Sequence, residues 1–139
     1  MNRVVLASHG GYAEGARDTL EMIVGDVPNV YTVSLARDDK EQIEDRVLNL
    51  IESFDSTDAI YILTDMLGSS VTNQMVSLWA KHPEITVIAG ANLPLILEIA
   101  LSEKQLTAAE LAQAIEQSRA GIQNIADLMK YVAKQEEDL

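Results

Sequence analysis

Residues 3–11 have the sequence Arg-Val-Val-Leu-Ala-Ser-His-Gly-Gly, an apolar run that stops at a histidine and two glycines. A short and almost continuously apolar run is typical of a strand buried on both faces of a parallel sheet. Gly10 and Gly11 allow the backbone to turn sharply towards a following helix. The pattern therefore predicts that His9 stands at the tip of a buried strand, with its ring presented to solvent.

Short apolar runs alternate with segments of helical spacing along the rest of the chain. Further strands are predicted at residues 30–35, 59–64 and 85–89. Five helices are predicted. The first spans residues 12–24, the second begins after a cap at Asp38 or Asp39, the third runs from about residue 70 to Lys81, and the fourth spans residues 93–101. The last begins after a capping box at Thr107 and Glu110 and is interrupted at Gly121. In the third helix, the spacing predicts that Val71, Met75, Leu78 and Trp79 face the core. This alternation predicts an α/β fold, a parallel sheet with helices on both faces and the strand order 2-1-3-4.

In such a sheet the strand order changes direction between strands 1 and 3, and ligands bind in the crevice at the carboxyl ends of these two strands. His9 follows strand 1, and the loop Asp65-Met66-Leu67-Gly68-Ser69-Ser70 follows strand 3. We therefore expect His9 and Asp65 to meet there. A carboxylate that accepts one ring N–H fixes the tautomer and leaves the other nitrogen free to act as a nucleophile or base.

Gly68, Ser69 and Ser70 open the third predicted helix, whose first N–H groups and dipole favour an anion. A nucleophilic nitrogen, an orienting carboxylate and an anion-binding helix N-terminus together favour phosphoryl transfer. Each residue alone also has a plain structural interpretation, because aspartate closes turns and serine caps helices. Two other functions stay open: a hydrolase in which His9 activates Ser8 or Ser70, although the chain lacks the Gly-x-Ser-x-Gly elbow, and a sensory module phosphorylated on the same histidine.

Composition bounds the remaining possibilities. The chain of 139 residues has no cysteine, which excludes disulfides and thiolate metal sites and fits a reducing cytosol. No apolar run approaches the ~18 residues of a membrane helix, so a cytoplasmic location is predicted, with a domain over residues 1–133 and a polar tail over 134–139. The net charge of −12 disfavours nucleic acid. This acidity has two open explanations: solubility alone, or attraction of a basic protein partner.

Three segments resemble a known family. Val-Val-Leu-Ala-Ser-His-Gly-Gly near the N-terminus resembles the phosphorylation-site motif of mannose-family enzyme IIA of the bacterial phosphoenolpyruvate:sugar phosphotransferase system. The loop from Asp65 to Asn73 resembles that family's Asp-x-x-Gly-Gly-Ser-Pro-x-Asn segment, with Ser69 and Val71 in place of a glycine and the proline. Residues 87–95 resemble its Gly-x-Asn-x-Pro-Met passage. These motifs occur in order, within a resemblance over roughly residues 3–120.

The resemblance implies that His9 accepts a phosphoryl group from the carrier HPr and passes it to a sugar-specific enzyme IIB, so that membrane permease components are reached only indirectly. It implies that Asp65 orients His9. The predicted phosphate-binding residues are Gly10, Gly68, Ser69 and Ser70. Family members have flavodoxin-like sheets and form homodimers, some of which exchange a C-terminal strand, whereas the pattern of residues 120–133 predicts a helix. Transfer between two imidazoles requires no metal or cofactor, and none is predicted.

Overall fold

The computed structural model describes residues 1–138, and Leu139 lies outside the described residues. It divides into two compact units, Met1–Leu106 and Thr107–Leu139. The elements of the first unit are β1 (Asn2–His9), α1 (Tyr12–Val24), β2 (Val30–Leu35), α2 (Ile43–Glu52), β3 (Ala59–Thr64), α3 (Ser70–Lys81), β4 (Thr86–Ile88) and α4 (Leu93–Leu101). The second unit contains α5 (Ala108–Ala120) and α6 (Ile125–Glu137).

Within residues 1–138, the strands form one parallel sheet of order β2-β1-β3-β4. This arrangement confirms the predicted fold class and strand order. β1 lies in the middle, where Ala7 is in register with Val33 on one side and Thr64 on the other. Because both neighbours run parallel to β1, the carboxyl ends of the three strands meet at one edge of the sheet.

Helices cover both faces of the sheet. α1 and α4 pack against β1 on one face, and α2 and α3 pack against each other and the sheet on the opposite face. The buried side chains of the core on the second face are aliphatic, apart from Met75. Its most deeply buried members are Val5, Ile43, Val47, Ile62, Val71, Met75 and Leu78. Across the part of the chain that the structure describes, no helix is both long and apolar enough to cross a bilayer.

Two local predictions are wrong. Helix α2 begins at Ile43 with Gln42 as its N-cap, so neither Asp38 nor Asp39 caps it. The Asp39 carboxylate instead closes an earlier turn, where it accepts the Ala36 N–H at 2.6 Å and lies 3.2 Å from the Arg46 guanidinium. A turn that uses the aspartate locally delays the start of the helix.

The helical spacing predicts that Trp79 faces the core, but 47% of its surface is exposed to solvent. The reason is its position beside the edge of the sheet. It lines an open groove with Val76 of the same helix and with Val87 of the three-residue edge strand β4. Thr72, which the apolar spacing did not select, is buried instead.

The second unit is helical. Thr107 and Glu110 form the predicted capping box of α5, and Gly121 follows the end of that helix, as predicted. α6 continues through Glu137, so it includes residues 134–137 of the stretch predicted as a polar tail, and Leu139 lies outside the described residues. The helical pattern predicted for residues 120–133 is therefore observed in α6, which begins at Ile125.

Candidate functional site

His9 is the last residue of β1, and its side chain is 47% exposed. The chain turns immediately after it, because Gly10 adopts a φ of +54° and donates its N–H to the carbonyl of Leu35 at 3.0 Å. Glycine takes this left-handed conformation at little cost. The turn ends the strand at the imidazole and leaves the ring at the edge of the sheet.

Asp65 follows β3, and its side chain contacts His9. Its Oδ2 accepts the backbone N–H of His9 at 2.9 Å and lies 2.8 Å from the ring Nδ1. The predicted meeting of these two side chains is thus observed. Contact with both the backbone and the ring of His9 restricts where the imidazole can point.

The other oxygen of Asp65 is occupied by its own loop. Oδ1 accepts the Met66 N–H at 2.8 Å and the Ser69 hydroxyl at 2.9 Å. Burial raises the pKa of the Asp65 carboxyl, but the hydrogen bonds from His9, Ser69 and Met66 together hold the pKa below its usual value. The carboxylate is therefore ionised at neutral pH and acts only as an acceptor.

An acceptor at Nδ1 assigns the tautomer of the neutral ring. Nδ1 carries the proton towards Asp65, so Nε2 has the free lone pair. The Ser70 hydroxyl lies 3.0 Å from Nε2 and donates to it. Ser70 is the first residue of α3, so Nε2 faces the start of this helix. The first N–H groups of a helix have no partner within it and favour an anion.

Buried hydroxyls anchor the loop below the ring. Ser69 is the N-cap of α3 and accepts the Thr72 N–H at 3.1 Å. The Thr72 hydroxyl lies 2.6 Å from the Met66 carbonyl and 2.8 Å from the Thr64 hydroxyl. Sequence reasoning missed Thr72, although its place three residues after a serine N-cap is the signal that identifies it. This network ties the loop to the end of β3 and so holds Asp65.

The predicted phosphate-binding residues have different surroundings. Gly10 and Ser69 use their donors within the protein, on the Leu35 carbonyl and on Asp65 respectively. Gly68 has a φ of +84° in a turn where the Ser69 N–H donates to the Met66 carbonyl at 3.2 Å. Of the four, Ser70 has the hydroxyl that faces the His9 ring. Phosphate contact by any of them stays a prediction.

Ser8, the other serine considered as a nucleophile, is buried. Its hydroxyl accepts the Ala13 N–H at 2.8 Å in the first turn of α1. This bond ties the end of β1 to the start of α1, and the side chain is closed to substrate. Ser8 is therefore structural.

An open cleft of about 410 Å³ adjoins the imidazole, and its lining residues are His9, Gly10, Leu35, Ala36 and Arg37. Sequence reasoning missed Arg37, which follows β2 and shows no motif. On the opposite flank of the site, Met66 and Leu67 expose their apolar side chains. Among the residues described, 1–138, no group of three or more histidine, cysteine or acidic side chains is arranged to hold a metal ion.

Comparison with known proteins identifies the family. Residues 3–116 match the family model EIIA-man, described as the PTS system fructose IIA component. The sorbose-specific EIIA component of Klebsiella pneumoniae is 30% identical over 118 residues, which are 84% of this chain and 85% of that protein. The corresponding component of Lacticaseibacillus casei is 27% identical over 109 residues, 78% of each chain.

Solved structures agree with the sequence relatives. The PTS IIA protein associated with the fucose utilization operon of Streptococcus pneumoniae superposes with a TM-score of 0.80 at 26% identity, and the match covers 92% of this chain and 96% of that one. EIIA from Streptococcus agalactiae has the same fold, with a TM-score of 0.80, 23% identity and coverage of 91% and 99%. The chain belongs to the EIIA-man family of sugar phosphotransferase-system IIA components.

Proposed function

We propose that this protein carries a phosphoryl group on Nε2 of His9, taken from phosphorylated HPr and passed to a sugar-specific enzyme IIB. Membership in the family makes it a component of a sugar phosphotransferase system. The observation that supports the finer assignment is the imidazole itself. One ring nitrogen lies 2.8 Å from an ionised carboxylate, and the other faces the exposed start of a helix.

In the proposed step, the Nε2 lone pair attacks phosphorus while the bond between phosphorus and the donor imidazole nitrogen breaks. The Nδ1 proton stays on the ring, where the Asp65 carboxylate stabilises the positive charge that develops. Both bonds join phosphorus to an imidazole nitrogen, so donor and acceptor are chemically similar. Catalysis then consists mainly of positioning and of charge stabilisation.

The start of α3 supplies charge stabilisation in this scheme. A phosphoryl group on Nε2 lies beside the Ser70 hydroxyl, which is 3.0 Å from that nitrogen before transfer. The positive end of the helix dipole and the unpaired N–H groups of the first turn favour its oxygens. Ser70 donates to the lone pair before the reaction and to a phosphoryl oxygen after it.

The partners in this proposal are proteins. The net charge of −12 attracts a basic carrier surface at long range, and the exposed Met66 and Leu67 offer apolar contact beside the reacting nitrogen. A homodimer and a cytoplasmic location belong to the same proposal. The permease components are reached through enzyme IIB.

A phosphotransfer assay tests the proposal. The protein is incubated with phosphoenolpyruvate, enzyme I and HPr, and intact mass spectrometry measures the gain of one phosphoryl group. We expect the gain in the wild type and its loss in His9→Gln. His82→Gln is the matched control, because it removes the other histidine of the chain and keeps His9. An unmodified wild type, or a His9→Gln variant that still gains phosphate, would refute the assignment.

Addition of enzyme IIB separates a carrier from a sensory module. A carrier loses its phosphate when an acceptor enzyme IIB is present, and the phosphate appears on that protein. We expect this loss with at least one enzyme IIB from a panel of sugar specificities. Phosphate that stays on His9 with every member of the panel favours the regulatory role.

A second candidate function follows from the two contacts of the imidazole. Ser70, His9 and Asp65 are linked by contacts of 3.0 Å and 2.8 Å in the order found in serine hydrolases. An activated serine reacts with a fluorophosphonate probe. We expect no labelling, because phosphoryl transfer uses Nε2 itself as the nucleophile. Labelling that disappears in Ser70→Ala would instead identify Ser70 as an activated nucleophile and favour a hydrolase.

A further inference from the structure

Arg37 lies beside the reacting imidazole although it is distant in sequence. His9 is in register with Leu35, and the Gly10 N–H donates to the Leu35 carbonyl at 3.0 Å. The chain that leaves β2 therefore passes next to the end of β1. Arg37, two residues further on, lines the open cleft together with His9.

Among the carboxylates of residues 1–138, none forms an ion pair with the guanidinium of Arg37. Each of the other arginines in the described part of the chain forms an ion pair with a carboxylate; they are Arg3, Arg17, Arg46 and Arg119. The neighbouring Asp39 is engaged elsewhere, because it accepts the Ala36 N–H and pairs with Arg46. In a chain with a net charge of −12, an arginine left unpaired at the rim of the cleft is available for another anion.

Phosphorylation of His9 creates that anion. It adds nearly two negative charges close to the Asp65 carboxylate, and like charges at short range oppose each other. Guanidinium is suited to relieve this, since its planar fork matches two phosphoryl oxygens and remains charged at every relevant pH. We propose that Arg37 binds the phosphoryl group on Nε2 of His9 and stabilises the phosphorylated form.

The inference rests on the proposed phosphocarrier function, so two donors are used. With phosphoramidate, the Nε2 lone pair forms the new P–N bond, the donor P–N bond breaks and ammonia leaves; the Nδ1 proton stays on the ring. This small donor needs no protein docking. With phosphorylated HPr, the equilibrium between the two carriers measures the stability of the phosphorylated end state and does not depend on the contact between them.

Arg37→Gln is the test variant, and Arg37→Lys retains the charge without the fork. For Arg37→Gln we expect the transfer equilibrium with HPr and the initial rate with phosphoramidate each to fall roughly tenfold, the usual scale for one charge-assisted hydrogen bond. Arg37→Lys should lie between that variant and the wild type. Lys40→Gln is the matched control, because it removes one exposed positive charge from the same loop but does not line the cleft. It should stay within about twofold of the wild type.

The outcomes separate the two ideas. If Arg37→Gln slows transfer from HPr but leaves the equilibrium and the phosphoramidate rate unchanged, Arg37 acts in docking and the inference is overturned. If the wild type takes phosphate from phosphoramidate but not from HPr, the phosphocarrier function fails, and the phosphoramidate rates still decide the role of Arg37. If the wild type reacts with neither donor, both are overturned.

Discussion

At the scale of single residues, one carboxylate gives the two nitrogens of an imidazole different tasks. Asp65 holds Nδ1 at 2.8 Å and the backbone N–H of His9 at 2.9 Å through the same oxygen, so the ring is fixed in position and tautomer at once. Its second oxygen is fixed by Met66 and Ser69. Because both oxygens are held by hydrogen bonds, the carboxylate cannot rotate away from His9 without breaking them.

Asp65→Asn tests this assignment. The amide of this variant has one acceptor oxygen and one NH₂ group, so it cannot accept hydrogen bonds from His9 on one side and from Met66 and Ser69 on the other. If the NH₂ group donates to Nδ1, the ring proton moves to Nε2, and the lone pair needed for attack is lost. We expect the phosphotransfer rate to fall by roughly 10²-fold or more, with a folded circular dichroism spectrum. Asp38→Asn, an exposed carboxylate after β2, is the control, and an unchanged rate in Asp65→Asn would deny Asp65 its role.

The pKa of Asp65 also predicts how stability depends on pH. Burial opposes ionisation of this carboxyl, but its hydrogen bonds lower the folded-state pKa below the unfolded value of about 3.9. A lowered pKa stabilises the protein above the unfolded pKa, and this contribution disappears as pH falls through the folded pKa. Urea titrations should therefore show a difference in unfolding free energy between wild type and Asp65→Asn that shrinks as the pH falls from about 5 to below about 4. A difference that grows over this acidic range would contradict this sign.

At the scale of the elements, the beginning of α3 combines stability and chemistry in two adjacent serines. Ser69 is buried, caps the helix and binds Asp65, whereas Ser70 is exposed and faces the reactive nitrogen. A helix N-terminus needs an acceptor at its N-cap but leaves the next side chain free. The same two residues thus have separable roles.

Two alanine substitutions separate these roles. Ser69→Ala removes the cap and should lower the unfolding free energy by about 1 kcal/mol, and it should also slow transfer because Asp65 loses a support. Ser70→Ala should change stability by less than about 0.5 kcal/mol and lower the transfer rate several-fold. Urea unfolding and the mass-spectrometric assay measure the two quantities. A larger loss of stability in Ser70→Ala than in Ser69→Ala would reverse the assignment.

The elements also show what a single sequence can reveal about the site. Apolar runs and glycines predict the strand ends, and the rules of parallel sheets then bring His9 to Asp65 without any knowledge of side chains. The sequence does not identify Arg37 as a site residue, because its approach to His9 depends on the pairing of β1 with β2 and on the ion pair that occupies Asp39. It does not identify Thr72, because apolar periodicity selects only apolar residues, whereas this hydroxyl is buried by hydrogen bonding. Contacts made by tertiary pairing leave no local pattern.

At the scale of the whole molecule, the aliphatic sheet provides the rigidity on which the loops depend. β1 and β3 are neighbours in register, with Val5 opposite Ile62, and both residues are fully buried. The site loops leave these two strands at the same edge. Movement of one strand against the other would therefore change the distance between His9 and Asp65 directly.

Ile62→Ala tests how much this buried contact between the two strands stabilises the fold. Truncation of a fully buried isoleucine removes apolar contact and leaves a cavity, with an expected loss of about 2–5 kcal/mol in unfolding free energy. Val76→Ala is the control on the exposed side of α3 and should change stability by less than about 0.5 kcal/mol. Urea unfolding compares the two variants. Equal losses would show that the burial of Ile62 does not determine its contribution.

Trp79 is the sole tryptophan of the chain and stands half in water beside Leu67, Val76 and Val87. The protein is in this way supplied with a natural optical probe. Indole fluorescence moves to shorter wavelength when apolar groups replace the water around the ring. A macromolecule that binds over this groove should therefore cause a blue shift in a titration without an added dye. Because the chain has no second tryptophan, the emission spectrum reports on this groove alone.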